Sequence, residues 1–307
     1  MIKIIQKHTN VDFIGCRKIA AFASAGLIVL GILSLIVRGG FNVGIDFTGG
    51  TMVQILFEKD IDLKGLRSSI KEIGYGDSEI QQIGGEKREF IIRTVVSDSS
   101  LSDLGKQIQG TLAQTYPENK AEIRRVEMVG PKVGADLRHK ALQAFFYALG
   151  FMLVYVWWRF ELSFGVGAIL ALLHDIFLSL GFMALFHIEF DLKTVAALLT
   201  VVGYSINDTI VVYDRIRENL RLAKRKSYTQ LINKSINQTL SRTLLTSVTA
   251  LIVVLILFLF GGEVIHGFSF VLLIGIITGT YSSIFIASPI VLLWEKRPGT
   301  RLTSSAK

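Results

Sequence analysis

The sequence predicts a polytopic α-helical membrane protein, with six transmembrane helices and one external α+β domain inserted between the first helix and the second. Three observations predict it. Half of the 307 residues are hydrophobic, and the mean hydropathy of +0.49 is too high for an ordinary soluble domain. Six apolar stretches approach the roughly 20 residues that cross a bilayer at about 1.5 Å rise per residue. Between residues 39 and 140 the composition turns polar, and the apolar period alternates between that of a strand and that of a helix.

The spans are read as Ile19 to Val37, Ala141 to Trp158, Leu162 to Phe186, Leu192 to Tyr213, Thr243 to Phe260 and Phe268 to Trp294, the second and fifth being the shortest. Lys3, Lys7, Arg17 and Lys18 precede the first, as they would a signal peptide. Its apolar run is too long for one, however, and Leu35-Ile36-Val37-Arg38 offers no small-residue cleavage site, so it reads as an uncleaved anchor.

Lysine and arginine in short loops resist translocation and set the orientation. They flank the start of the first span, follow the second as Arg159, and crowd the connection after the fourth as Arg215, Arg217, Arg221, Lys224, Arg225, Lys226, Lys234 and Arg242. Lys296, Arg297 and Arg301 follow the sixth. The opposite loops hold only Lys193. Both termini are therefore expected in the cytoplasm and residues 39–140 outside it. Trp157, Trp158 and Trp294 fall at cytoplasmic helix ends, where aromatic belts form. The expected division is 1–38 for the N-terminus and first span, 39–140 for the external domain, 141–297 for spans two to six, and 298–307 for a cytoplasmic tail.

Within the external domain, Thr51 to Phe57 alternates, with Val53, Ile55 and Phe57 on one face. Leu63, Leu66, Ile70 and Ile73 mark a helix, and Glu79 to Ile83 and Phe90 to Thr94 flank a Gly84-Gly85 turn. Leu101, Leu104, Ile108 and Leu112 mark a second helix, and Ala121 to Val129 a last strand. The order β-α-β-β-α-β is that of a ferredoxin-like domain, which hosts many functions and names none.

Several classes of function are disfavoured. The net charge of +8 sits beside apolar segments instead of forming a stripe interleaved with aromatics, so nucleic acid is not the expected partner. Cys16 is the only cysteine, which leaves no intrachain disulfide. There is no phosphate-binding glycine loop, HExxH site or GxSxG elbow, so neither an enzyme, a metal centre nor a cofactor is expected.

Polar groups within the spans need their own explanation, because a charge at the bilayer centre costs about 2.5–3.5 kcal/mol on insertion scales. In the third span His174-Asp175 lies near the middle. In the fourth, Tyr204, Ser205, Asn207 and Asp208 interrupt the cytoplasmic half, and Thr200, Tyr204 and Asp208 recur every four residues as a polar stripe. Asp208 is the group in that stripe which titrates usefully: it reads either as a proton carrier or as a structural anchor that reaches water. Arg242 opens the fifth span at a depth like that of Asp208, and Thr246 continues its face. A contact between Arg242 and Asp208 that forms and breaks would let the carboxyl take up a proton in one state and release it in the other. His174 and Asp175 lie about 100° apart on a helix, so they are not expected in one narrow relay; each reads as a proton group or as a helix-helix hydrogen-bonding group. Gly275, Gly279 and Ser283, with Ala287, form a small-residue seam for another helix. Gly44, Gly49 and Gly50 on the way into the external domain, and Gly130, Pro131 and Gly134 on the way out, read as flexible joints or as ordinary turn chemistry.

Five segments resemble those of the SecD/SecF family, half-size members of the resistance-nodulation-division superfamily. They are GIDFTGGT at Gly44 to Thr51, VGPKVGADL at Val129 to Leu137, GYSINDTIVVYDRIREN at Gly203 to Asn219, LSRTLLTS at Leu240 to Ser247 and GTYSSIFIASPI at Gly279 to Ile290. The fourth-span segment and the short external domain resemble the SecF branch. The resemblance implies a cell inner membrane subunit that pairs with SecD into a twelve-helix unit beside the SecYEG channel, often with YajC. Such a unit uses the proton-motive force to help draw preproteins across after ATP-driven insertion. It also implies that Asp208 and Arg242 serve proton passage, completed by an acidic residue of SecD. Tyr204, Asn207, His174 and Asp175 complete the candidate proton residues. The competing expectations are a proton-driven exporter of small molecules or lipids, and a passive subunit that steadies the translocon.

Overall fold

A computed structural model describes residues 9–76, 78–83, 87–94, 101–222 and 227–295. The Gly84-Gly85 turn, the basic residues Lys3, Lys7, Lys224, Arg225, Lys226, Lys296, Arg297 and Arg301, and the tail 298–307 lie outside them. The chain divides into two units, Val43–Leu142 and a helical unit made of the rest.

In the first unit, the turn α2 (Ile45–Thr48) precedes β1 (Gly50–Phe57), α3 (Leu63–Glu72), β2 (Glu79–Ile83), β3 (Glu89–Thr94), α4 (Leu101–Thr115) and β4 (Ala121–Val129). The strands lie in the order β2-β3-β1-β4, every neighbour antiparallel. β1 and β2 thus run parallel with β3 between them, the split βαβ of the ferredoxin-like arrangement. Alternation sends Val53, Ile55, Phe57, Phe90 and Ile92 to one face of the sheet. There they pack with Leu66 and Ile70 of α3 and Ile108 and Leu112 of α4, each burial contributing about 1.5–3 kcal/mol. A bulge between Gln54 and Ile55 shifts the pairing with β4. It leaves Arg124 as the extra residue, and its guanidinium reaches Glu89, which also accepts from Gln54 at 2.9 Å. The turn α2, which buries Ile45 and Phe47, is not signalled by any periodicity.

The helical unit holds α1 (Arg17–Arg38), the end of α5 (Pro131–Arg159), α6 (Leu162–Phe186), α7 (Leu192–Leu222), α8 (Tyr228–Phe260) and α9 (Glu263–Ser282). α9 continues through a π-helical turn, Ser283–Ala287, into α10 (Ser288–Glu295). Among the described residues, six helices are long and apolar enough to cross a membrane, α9 to α10 counting as one. Three of them extend well past their apolar runs: α5 has 29 residues, α7 has 31 and α8 has 33, although the runs of α5 and α8 are the shortest. At about 1.5 Å per residue, α8 is ~50 Å long, more than the ~30 Å hydrocarbon core, and its start is polar. That polar extension packs on the end of α7: Asn219 Nδ2 donates to Ser235 Oγ and Gln238 Oε1, both at 2.8 Å.

Burial sorts the helices. More than half of the apolar window of α6, α7 and the sixth span is buried (56%, 56% and 61%), against 17%, 6% and 17% for α1, α5 and α8. The first three form the interior, and the others present apolar surface to lipid or to another chain. The small-residue seam explains the closest packing. A Cβ added at Gly275 would overlap Val201, and one at Gly279 would lie 2.9 Å from Ser205 Cβ, so α7 fills the groove of α9. α1 crosses α6 at a second such contact, where a Cβ on Gly31 would lie 2.5 Å from Gly181 Cα. α1 ends with Gly39 at φ 75°, and the Gly39 and Gly40 amides turn back to Ile36 and Leu35 carbonyls at 3.3 and 2.9 Å, a cap that glycine makes without strain.

Candidate functional site

The polar groups of the membrane helices gather into two carboxylate sites, one on each side of α9. The first is built around Asp208 of α7. Its side chain is 2% exposed, yet its one hydrogen bond among the described residues comes from Ser247 of α8, at a long 3.3 Å. Ser247 also bonds Thr280 of α9 at 2.6 Å. The Tyr204 hydroxyl, one turn away, is buried with no hydrogen-bond partner among the described residues. Buried carboxylates normally take several donors, so this one is under-supplied.

Arg242 is exposed and makes no ion pair with Asp208 among the described residues, although its charge lies within electrostatic reach of the carboxylate. It shares an exposed face of α8 with Thr246 and Thr249, while Thr200, Gly203 and Asn207 form an exposed face of α7. Thr200 and Thr246 satisfy their hydroxyls on the carbonyls of Ala196 and Arg242. A polar surface of this kind is unfavourable against lipid tails and suits another helix surface.

The second site is built around Asp175 of α6, which is 1% exposed. Its Oδ2 accepts from Ser205 of α7 at 2.5 Å and Ser282 of α9 at 2.7 Å, and its Oδ1 lies 3.0 Å from His174 Nδ1. The expectation that His174 and Asp175 diverge is corrected here. The rings and carboxyls of adjacent residues swing far enough to meet, and both turn into the helix interface instead of to opposite sides. His174 Nε2 continues to Ser24 of α1 at 3.0 Å, and Ser24 to the Tyr281 hydroxyl at 3.0 Å. Ser24, Tyr281, Ser282, Ser247 and Thr280 are therefore site residues that the sequence reading missed. Ser24 was legible only as one of two serines, with Ser34, in an apolar run.

The two sites meet on consecutive residues of α9: Thr280 bonds the donor of Asp208, Tyr281 the partner of His174, and Ser282 the Asp175 carboxylate. The π turn follows directly. The Ala287 carbonyl at its end accepts from Tyr213 of α7 at 3.2 Å, and Ser288 Oγ donates to the Ser283 carbonyl at 2.8 Å. Such turns frequently interrupt helices at functional positions. Ser283 itself is buried within the turn. Gly167 leaves room for the Tyr213 hydroxyl, which an added Cβ would overlap.

Among the candidate joints, Gly49 and Gly50 have φ of 71° and 121°. A Cβ at Gly49 would lie 2.8 Å from Pro131 Cα, and one at Gly134 would lie 3.0 Å from Gly49 nitrogen, whereas nothing lies within 4 Å of one at Gly130. Gly44 is extended, at ψ 166°. No group of three or more His, Cys, Asp or Glu is placed to hold a metal among the described residues.

Comparison with known proteins places this geometry. The family described as "Protein export membrane protein SecD/SecF, C-terminal" matches residues 108–297, and the "SecD/SecF GG Motif" matches 34–61. Curated relatives named "Protein translocase subunit SecF" include that of Desulfurispirillum indicum, 46% identical over 94% of this chain and 92% of its own. That of Calditerrivibrio nitroreducens is 48% identical over 95% and 96%. Among solved structures, SecDF of Thermus, described as a translocon-associated membrane protein, superposes with a TM-score of 0.86 at 39% identity over 96% of this chain. The chain spans 40% of the length of that solved chain. SecDF in a "Super-membrane-facing form" superposes with a TM-score of 0.67 at 38% identity over 95% of this chain and 40% of that one. On these matches, and on a family pattern that covers more than half of its length, the chain belongs to the SecD/SecF family of protein-export membrane proteins, among relatives named SecF.

Proposed function

We propose that this chain is a SecF-like subunit of a protein translocase that, paired with a SecD partner, uses the proton-motive force to assist late steps of preprotein movement through SecYEG. Its work is transport, without bond-making chemistry. One observation carries the reading: Asp208 is a buried carboxylate with one long hydrogen bond among the described residues, and the face beside it is polar and open. A carboxylate held by many donors would be fixed in one state. An under-supplied one changes its proton occupancy with small movements of its neighbours.

In this reading Asp208 carries the proton, Tyr204 and Asn207 line its path, and Arg242 approaches it in one state and withdraws in another. The exposed polar faces of α7 and α8 are where SecD completes the path. Each charge crossing ~100 mV supplies roughly 2.3 kcal/mol, which is of the size of a typical coupling energy between sites. The termini lie in the cytoplasm and residues 39–140 on the far side of the inner membrane, where the ferredoxin-like domain meets emerging preprotein. Gly44, Gly49, Gly50, Gly130, Pro131 and Gly134 are its joints, with Gly130 less confined than Gly49 and Gly134. YajC and surrounding lipids complete the assembly.

The test is Asp208→Asn in membrane vesicles that carry the full translocase under an imposed proton gradient. Gradient-stimulated translocation should be lost while the variant still co-purifies with SecD. Unchanged stimulation would make the chain a passive assembly subunit. Photocrosslinks from the external domain to small hydrophobic compounds alone, and not to preprotein, would make it an exporter.

A further inference from the structure

The hydrogens around His174 can be counted. Beyond its Nε2 lie three contacts in series: to Ser24 Oγ at 3.0 Å, from Ser24 Oγ to Tyr281 hydroxyl at 3.0 Å, and from Tyr281 hydroxyl to the Ala20 carbonyl at 2.7 Å. Each needs one hydrogen. Ser24 and Tyr281 bring one apiece, and a carbonyl brings none. The third hydrogen must therefore sit on Nε2.

On the other side, the Nδ1 to Oδ1 contact with Asp175 also holds one hydrogen. The pair then carries two hydrogens and no net charge, whether drawn as imidazolium with carboxylate or as imidazole with carboxylic acid. Remove one, and the pair is left with a net negative charge in the membrane interior, an expensive state. Nε2 then takes the hydrogen of Ser24, and the single hydrogen of Tyr281 has to serve both Ser24 and Ala20. One of the three links is lost.

No other charged side chain bonds the pair among the described residues. α1 contributes Ser24, α7 contributes Ser205, and α9 contributes Ser282 and Tyr281, whose ring stacks on His174 with centroids 5.9 Å apart. Asp208, three residues along α7 from Ser205, bonds Ser247 instead.

We propose that His174 and Asp175 form a second proton-binding site, loaded with one proton in this conformation, and that release of this proton breaks one of the two hydrogen bonds, Ser24–Tyr281 or Tyr281–Ala20, that tie α1 to α9. The bound proton follows from the hydrogen count; its use in transport rests on the function proposed above. The link matters because α1 is otherwise tied to α6, by the Gly31–Gly181 crossing and by Ser34 Oγ donating to the Ala184 carbonyl at 3.1 Å. Tyr281 is the residue that connects α1 to the α9 segment shared with the Asp208 site.

The experiment is magic-angle-spinning NMR on the full chain, labelled with ¹⁵N at histidine and held with its SecD partner in lipid bilayers. His174→Gln assigns the signals by loss. The expected result is a hydrogen on His174 Nε2 at neutral pH, with the Nε2–H population in Tyr281→Phe falling about fivefold, as loss of one typical hydrogen bond predicts. Ser24→Ala removes the Nε2 acceptor directly, gives the same reading, and serves if Tyr281→Phe does not assemble. A bare Nε2 in the parent chain, or an Nε2–H population unmoved in both variants, overturns the proposal. Asp208→Asn should keep the Nε2–H signal. Unimpaired translocation by that variant therefore removes the carrier reading and leaves the count intact, whereas a bare Nε2 removes only the second site.

Discussion

Gly275 of α9 lies against Val201 of α7 so closely that no side chain fits between them. The contact is the tightest part of the seam that holds the Asp208 and Asp175 sites in register, since Gly279 and Ser205 follow one turn along. Gly275→Ala should destabilise the protein by about 1–3 kcal/mol, the usual range for overpacking, seen as earlier thermal aggregation of the purified complex in detergent. Val201→Ala in the same chain removes the obstructing methyl groups. It should recover most of the loss, and a double variant no better than Gly275→Ala would show that the seam is not what fails.

Tyr213 and Gly167 should act as one unit. Tyr213→Phe deletes the bond to the Ala287 carbonyl of the π turn and should cost about 0.5–1.5 kcal/mol. Gly167→Ala forces the hydroxyl and the carbonyl apart and should cost more, about 1–3 kcal/mol. Combined, they should cost less than their sum, because the group that the new methyl strikes is already gone. Thermal unfolding of the four chains measures the coupling directly, and strict additivity would show that the two residues are independent.

A third prediction concerns the amides of residues 11–14. Asn233 Oδ1 accepts from the Phe13 and Ile14 amides at 2.9 and 3.2 Å, Asn233 Nδ2 donates to the Val11 carbonyl at 2.9 Å, and Asn237 Oδ1 accepts from the Val11 amide at 2.9 Å. Two asparagines one helical turn apart thus clasp the segment before α1 to the polar extension of α8. In the Asn233→Ala, Asn237→Ala double variant, hydrogen exchange at Val11, Phe13 and Ile14 should rise about tenfold, with the interior of α6 unchanged. Equal rates in parent and variant would mean that other contacts hold the segment.

The external sheet and its helices were readable almost residue by residue, because a period of 2 and a period of 3.6 are hard to confuse over runs such as Thr51 to Phe57 and Leu101 to Leu112. The spans were readable by apolar length, and for the same reason α5 and α8 were read too short: a helix that leaves the bilayer keeps its backbone and changes only its side chains. Asp208 stood out as a charge where charge is costly. The Asp175 network did not, because its members come from α1, α6, α7 and α9, and adjacency of helices is a tertiary fact that no local pattern encodes. His174 and Asp175 were noticed, but with ideal helical angles and no neighbours they pointed apart.

The crossing of Gly31 with Gly181 has a mechanical meaning as well. Where two helices meet through bare backbone, no side chains interlock, so the contact resists separation more than it resists turning. α1 is in effect a beam on a fulcrum, with Ser24 fastened on one arm and Ser34 on the other. Loosening the Ser24 end would leave the pivot and the Ser34 fastening in place and let the Ser24 arm swing without any helix having to slide along its neighbour.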